Sequence, residues 1–293
     1  MQTDQALYGI IGNPLKHSLS PVMHNAAFKE LGVDAVYQLF PLQENELETF
    51  FKELHQDTCP IFGLNVTVPY KEKAVQYLDN LSPLVEKLGV TNTIVINKQR
   101  KLIGYNTDAP GFLAHLAELD FQTAGKNIVI LGAGGSARAI LITLCLIPER
   151  PASIRIYNRT SSRLDTMLKD IQNRIDISIV EPAISIDDLN IEDADLLINT
   201  TSVGLDVDDP CLVDESLLHP RLLVYDLIYN PRETPLLTLA KKQGAEIANG
   251  LGMLYYQGVL SFQHWAGIEL DEKTKMIMKN SLEEALEGES NHE

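Results

Sequence analysis

Asn127-Ile-Val-Ile-Leu131 is followed at once by Gly132-Ala133-Gly134-Gly135-Ser136-Ala137, and then by a helical run over residues 138–146. A short apolar strand, a glycine turn and a helix form the context in which a GxGGxA string reads as a dinucleotide site. The glycines let the backbone turn sharply and approach a pyrophosphate, which rests on the helix N-terminus. About 125 residues precede this motif, enough for a whole domain. The 293-residue chain is too long for one small core and fits two domains.

Alternation continues on both sides of the loop. Upstream, residues 7–12, 35–40 and 62–68 read as strands, and Pro69 ends the third. Ser20-Pro21 caps and opens a helix that Gly32 stops. Residues 44–54, 71–79 and 83–88 read as helices. Residues 93–97 and 101–105 read as a hairpin. The order predicts a mostly parallel sheet with an antiparallel edge. Downstream, strands at 127–131, 153–157, 196–199, 223–227 and 246–248 alternate with helices, a doubly wound Rossmann pattern. A long helix begins after Gly252, a last one covers 273–286, and both return to the first domain. The tail 287–293 reads as polar and frayed. The expected architecture is therefore α/β with two domains: 1–107, completed by 250–293, and 108–249.

Apolar residues make up 45% and charged residues 22%, ordinary values for a soluble globular protein. The net charge of −16 argues against a nucleic-acid or anionic-membrane partner. The first ten residues show no leader-peptide pattern, and the longest apolar stretch is too short to span a bilayer. Cys59, Cys145 and Cys211 are scattered and odd in number, which implies a reducing, cytoplasmic compartment. The seven His show no HxxxH or HExxH pairing, so no metal is implied.

Asn158-Arg159-Thr160 ends the strand after the glycine loop, with Arg163 three residues on. An NAD enzyme usually carries Asp or Glu there for the ribose 2′-OH. A guanidinium fork suits the 2′-phosphate of NADP instead. In isolation the tripeptide is a solvated turn before a helix capped by Thr160 or Ser161; behind a glycine loop the phosphate reading prevails. The string Gly63–Lys71 puts Asn65 and Thr67 on one side of a buried strand and Lys71 just past its end, where ligands collect. A Lys at a helix start is normally a surface residue, but a cation there opposes the helix dipole. Asn92, Asn106 and Asp108 lie at strand ends, as turn formers, caps or part of a hydrogen-bonding cup for a polyol. Ser18 and Ser20, before the first helix, make a carboxylate site, unless Ser20 is only its N-cap.

The chain resembles the shikimate dehydrogenases nearly end to end, through GNPLKHSLSPVMHN (12–25), GLNVTVPYK (63–71), GVTNT (89–93), GYNTDAPGF (104–112), GAGGSARAI (132–140), NRT (158–160), INTTSVGL (198–205), DLIYNPRETPLL (226–237) and NGLGMLYYQGVLSFQHWAG (249–267). Val90 and Thr200 stand where Ala is commoner. The resemblance implies an NADP-linked enzyme interconverting 3-dehydroshikimate and shikimate in aromatic amino-acid synthesis. It implies Lys71 and Asp108 as the catalytic pair. Ser18, Ser20, Asn65, Thr67, Asn92, Tyr229 and Gln257 would bind substrate. Gly132, Ala133, Gly134, Gly135, Ser136, Ala137, Asn158, Arg159, Thr160, Arg163 and Gly252 would hold NADP. The partner is a small molecule, and the protein a monomer or homodimer. A quinate or quinate/shikimate dehydrogenase is the nearest alternative. A non-catalytic NADP-binding regulator is the alternative from another class; an altered Lys71 or Asp108 would favour it, and both are present. Bottom-up chemistry agrees, because hydride delivery to a carbonyl leaves an alkoxide that needs a proton, and a Lys oriented by an Asp can supply one.

Overall fold

The computed structural model describes residues 5–16, 18–206 and 208–290, with only the backbone described at residues 289 and 290. The chain divides into two compact units: residues 1–111 with 254–293, and residues 112–253. The expected boundaries at 107/108 and 249/250 each fall four residues earlier. The reason is that α4 (Asp108–Glu118) and α8 (Leu251–Ala266) run across the divisions, so both junctions lie inside helices.

The first unit carries β1 (Ala6–Gly12), α1 (Ser20–Glu30), β2 (Ala35–Pro41), α2 (Leu47–Leu54), β3 (Ile61–Val66), β4 (Asn80–Leu81), α3 (Pro83–Leu88), β5 (Thr93–Ile96) and β6 (Leu102–Tyr105). Its sheet has the order β2-β1-β3-β5-β6-β4. β1 is parallel to β2 and β3, while β5 is antiparallel to both β3 and β6. The antiparallel strand therefore lies inside the sheet, not at its edge as the order of elements suggested. The two-residue β4, parallel to β6, forms that edge and carries too little pattern to be read from sequence. One sheet face is packed by Ile11, Leu47, Phe51, Leu54, Leu64 and Ile94. α9 (Glu272–Ser290) returns to lie on α1, and Lys273 pairs with Glu30 at 2.5 Å. It extends beyond the expected end at 286; residues 291–293 of the tail lie outside the described residues.

Several local expectations change. The helix read over 44–54 is a 3₁₀ turn, Glu44–Glu46, followed by α2. The helix read over 71–79 is a short 3₁₀ segment, Lys73–Tyr77. Lys71 therefore precedes a 3₁₀ turn, and the helix-dipole argument at that position lapses. β3 ends at Val66, so Thr67 lies one residue past the strand, although its N–H still donates to Ile11 O at 2.9 Å. Leu19, not Ser20, is the N-cap of α1, and no side chain caps that helix. Ser20 is the first helical residue, with Pro21 next.

The second unit carries β7 (Asn127–Leu131), α5 (Gly135–Leu146), β8 (Ser153–Tyr157), α6 (Ser161–Gln172), β9 (Val180–Pro182), β10 (Leu196–Asn199), β11 (Leu223–Asp226), α7 (Pro235–Lys242) and β12 (Glu246–Ala248). Its sheet is parallel throughout, in the order β12-β11-β10-β7-β8-β9. The chain runs outward from β7 through β8 to β9, then restarts beside β7 at β10. The switch point lies between β7 and β10, which is where doubly wound sheets bind ligands, beyond the strand C-termini. Residues Val129, Leu131, Leu197, Val224, Leu236 and Leu237 pack one face.

Candidate active site

In the first unit the strand directions gather the polar residues at one end of the sheet. β1 and β3 end there, followed by the segments bearing Ser18 and Ser20, and Thr67 and Lys71. β5 is antiparallel, so its start, just after Asn92, lies at the same end. β6 runs with β3, so its exit into Asn106 and Asp108 lies there too. The interior antiparallel strand is what brings residues before one strand and after three others together.

Lys71 Nζ donates to Asp108 Oδ2 at 2.7 Å, with the two side chains 12% and 8% exposed. Asn92 Nδ2 donates to the other oxygen, Asp108 Oδ1, at 2.8 Å, to Thr107 Oγ1 at 2.9 Å and to Gln257 Oε1 at 3.3 Å. Asn92 Oδ1 accepts from the Thr107 backbone N–H at 2.7 Å, which fixes which way the amide faces. Asp108 opens α4, and the capping contact comes from Asn106, whose Oδ1 accepts from Ala109 N at 3.1 Å. Asn106 thus acts through the helix start, and Asp108 is left to its partners Lys71 and Asn92.

Asn65 is buried behind this pair. Its Nδ2 reaches Asn92 O at 3.1 Å, Thr93 Oγ1 at 3.2 Å and Ser261 Oγ at 3.0 Å, and its Oδ1 accepts from Tyr37 OH at 2.8 Å. Thr93, Thr107 and Ser261 hydroxyls lie 2.8–3.1 Å from one another. Ser261 Oγ also donates back to Gln257 O at 2.9 Å, one turn earlier on α8. Lys71, Asp108, Asn92, Gln257 and Asn65 are therefore joined in one hydrogen-bonded set. Thr67 is partly exposed beside it, and Ser18 and Ser20 stand at the start of α1, Ser18 partly exposed and Ser20 buried. Gly12 leaves room for this arrangement, since a Cβ there would press on the Thr67 methyl. Tyr37, Thr93, Thr107 and Ser261 were not singled out from sequence. Hydroxyl and aromatic residues in strands and helices look like ordinary core until their partners are known.

In the second unit the glycine loop leaves β7 at the switch point. Gly132 has φ +114°, and a Cβ there would collide with Thr200 Oγ1, so only glycine serves. Gly134 is the N-cap of α5, no side chain caps that helix, and a Cβ at Gly134 would meet nothing within 4 Å. A helix start with no side-chain cap and open space beside its N-cap glycine suits a phosphate. At the end of β8, Asn158 Nδ2 donates to Thr160 O at 2.9 Å and holds the turn. Thr160 is the N-cap of α6 without a side-chain bond, so capping does not account for it. Arg159, Thr160 and Arg163 are exposed, and among the described residues no carboxylate pairs with either guanidinium. The donor set fits a dinucleotide with a 2′-phosphate.

Two further clusters were not assigned a role from sequence. Asp226, fully buried, accepts from Asn199 Nδ2 at 3.0 Å, Ile228 N at 3.0 Å and Thr234 Oγ1 at 2.8 Å, and burial raises its pKa. It ties the segments after β10 and β11, the second of which carries Tyr229. His115 Nδ1 lies 2.6 Å from Tyr225 OH, and Gly252 lies flat against the His115 ring, where a Cβ would overlap it. Gly252, expected to hold the cofactor, and Tyr229, expected to bind substrate, belong to the second unit, whereas the other expected substrate residues belong to the first. No cluster of three or more metal-ligating side chains occurs among the described residues, and no helix among them is long and apolar enough to cross a membrane.

Residues 10–94 match the family model described as the shikimate dehydrogenase substrate binding domain. The shikimate dehydrogenase (NADP(+)) of Methanopyrus kandleri is 40% identical over 283 residues, covering 95% of each chain. This chain belongs to the shikimate dehydrogenase family. Among solved structures, the shikimate 5-dehydrogenase of Thermus thermophilus in complex with NADP(H) and shikimate superposes with a TM-score of 0.81 at 31% identity, over 96% of this chain and 100% of that one. The 5-ketofructose reductase of a Gluconobacter strain gives 0.80 at 32% identity, over 96% and 99%. The two-domain α/β fold with a Rossmann-like unit is thus that of the family.

Proposed function

We propose that this enzyme catalyses the reversible NADPH-dependent reduction of 3-dehydroshikimate to shikimate, in the cytoplasm, as a monomer or homodimer. The observation that carries the reading is the buried Lys71–Asp108 pair, bracketed by the Asn92 and Gln257 amides, in a chain of this family. The first unit binds the substrate and the second the cofactor. Bound NADP supplies the hydride chemistry. The Gly132–Ala137 segment and the start of α5 would hold its pyrophosphate, Arg159, Thr160 and Arg163 its 2′-phosphate, and the Gly252 segment its nicotinamide end.

Ser18 and Ser20 bind the substrate carboxylate with their hydroxyls, at the start of α1. Asn65, Thr67, Asn92 and Gln257 hold the ring hydroxyls, and Tyr229 is a further substrate residue. The proton moves at the substrate oxygen on C3. As the carbonyl gains hydride, its oxygen becomes basic, and the Lys71–Asp108 pair returns a proton to it. In the reverse direction the pair withdraws that proton. Asn92 holds Asp108 Oδ1, so the carboxylate keeps Oδ2 towards Lys71 instead of rotating away.

A second reading takes a polyol ketone without a carboxylate, and the likeness to 5-ketofructose reductase favours it. A third takes quinate. Absorbance at 340 nm, followed with NADP⁺ or NAD⁺ and shikimate, quinate or a ketose reduced with NADPH, separates them. Turnover of shikimate with NADP⁺ at least tenfold above the others supports the first reading; preference for the ketose or quinate replaces it.

A further inference from the structure

Tyr37 sits in β2, remote in sequence from every residue discussed as a substrate contact. Its side chain is 1% exposed. The ring stacks on His24, centroids 4.5 Å apart and planes 22° from parallel, with Trp265 at 6.0 Å. Asn25 binds both backbone polar groups of Tyr37, accepting from its N–H at 2.8 Å and donating to its C=O at 2.9 Å. His24 and Asn25 belong to α1, the helix that Ser20 opens. The phenol reaches the other way and donates to Asn65 Oδ1 on β3 at 2.8 Å. Burial raises the phenol pKa well above its usual value, so it stays a neutral donor, while the nearby Ser20 hydroxyl pulls the other way. One side chain thus touches both α1 and the amide on β3.

The Asn65 amide has a single satisfactory orientation. Its Nδ2 faces the Asn92 carbonyl, an obligate acceptor, so Oδ1 must face Tyr37. Removing the phenol oxygen leaves that Oδ1 buried without its partner and frees α1 from β3 at this point.

We propose that Tyr37 is a positioning residue that sets the span between the carboxylate end of the substrate site, at Ser18 and Ser20, and the ring-hydroxyl end, at Asn65 and Thr67. The inference rests on the substrate reading of those residues given above. Its role is separate from the Lys71–Asp108 pair, which Tyr37 does not touch directly, and from the cofactor residues, which belong to the other unit.

The test is steady-state kinetics of Tyr37→Phe, which keeps the ring against His24 and removes one oxygen. The KM for shikimate rises roughly tenfold, the scale of one buried hydrogen bond lost with its partner left unsatisfied. The kcat stays within about twofold, and the KM for NADP⁺ is unchanged. Combined with Ser20→Ala, the losses are less than multiplicative, because both changes loosen one span. Combined with Arg159→Ala, they multiply. A merely structural role would lower the thermal midpoint and the active fraction without moving the shikimate KM. An unchanged shikimate KM, or full multiplicativity with Ser20→Ala, overturns the proposal. If Tyr37→Phe does not fold, Asn65→Ser breaks the same bond from its other end, and multiplicativity of that variant with Ser20→Ala overturns it equally. A wild-type enzyme inactive on shikimate with NADP⁺ would instead sink the substrate reading, and this proposal with it.

Discussion

Lys71 and Asp108 are 37 residues apart and meet at 2.7 Å, with both side chains almost out of water. A buried ion pair is seldom worth its desolvation as a stabiliser. Its presence where Asn92 and Gln257 also converge is better explained by chemistry. Lys71→Ala should lower kcat by roughly 10²–10⁴, the usual contribution of a positioned acid or base. NADP binding should hardly change, because Lys71 belongs to the other unit. Asp108→Asn should also lower kcat, and the double variant should lose less than the product of the single losses. Steady-state kinetics with cofactor titration decides this. A Lys71→Ala enzyme with full kcat would return Lys71 to the role of a structural partner.

Ser18 precedes and Ser20 opens α1, which no side chain caps. The reading of Ser20 as a simple N-cap has gone, since Leu19 holds that position. A carboxylate contact persists from ground state to transition state, so its loss appears in KM. Ser18→Ala should raise the KM for shikimate several-fold, with kcat nearly constant. The methyl ester of shikimate, lacking the charge, should be a poor substrate for the wild type. Equal turnover of acid and ester would remove the carboxylate assignment and strengthen the ketose reading.

The cofactor's phosphate is assigned to a turn without a carboxylate. Asn158 spends its amide on holding that turn, which leaves Arg159 and Arg163 exposed beside it. Arg159→Ala should weaken NADPH binding roughly ten- to a hundredfold, the loss of a hydrogen bond to a charged group. NADH binding should be almost unaffected. Fluorescence titration with both cofactors measures the contrast, and equal losses would show that Arg159 does not read the 2′-phosphate.

The glycine loop was legible in sequence because strand, turn and helix signals are local and reinforce one another. GLNVTVPYK was legible because Asn65 interrupts an apolar strand. What escaped depends on distant partners. Thr93 and Ser261 lie 168 residues apart, and each alone is an ordinary buried hydroxyl. The interior place of β5 escaped as well, because a hairpin signal says that two strands pair but not what lies beyond them. That placement turns Asn92, which precedes its strand, into a neighbour of residues that follow theirs. Lys71 was selected partly on a helix dipole that the 3₁₀ turn does not supply. The polar strand residues beside it carried the choice.

Gly252 lies against the His115 ring, and His115 Nδ1 is 2.6 Å from Tyr225 OH. A methyl at position 252 must push the ring out of that bond. Gly252→Ala should therefore destabilise the protein by about 1–3 kcal/mol, the range for overpacking a dense site. Shortening the obstacle in Gly252→Ala/His115→Ala should recover part of the loss relative to the sum of the two single changes. Urea unfolding of the three variants tests this. Strict additivity would mean that the ring and the glycine do not constrain each other.

His24 supplies a prediction about pH. It is fully buried on α1 between Tyr37 and Phe262, neither ring nitrogen has a hydrogen-bond partner, and burial lowers its pKa from 6.5 to about 3. The folded protein holds this ring neutral, while the unfolded chain protonates it near its ordinary value. Below pH 6.5 the unfolded state binds more protons, so stability falls as pH falls, by up to about 1.4 kcal/mol per pH unit for this group. The loss continues towards pH 3, where the folded form also begins to protonate. Between about pH 6.5 and 5 the lowered aspartates, such as Asp79 and Asp195, remain ionised in both states and contribute little. His264, also lowered by burial, adds a smaller effect of the same sign. His24→Phe preserves a ring against Tyr37 and has no proton to bind. Its unfolding free energy, measured in urea at about pH 7.5, 6 and 5, should therefore decline less steeply than that of the wild type. Parallel declines would show that the unfolded state gains no proton at His24, and that the acid sensitivity arises elsewhere.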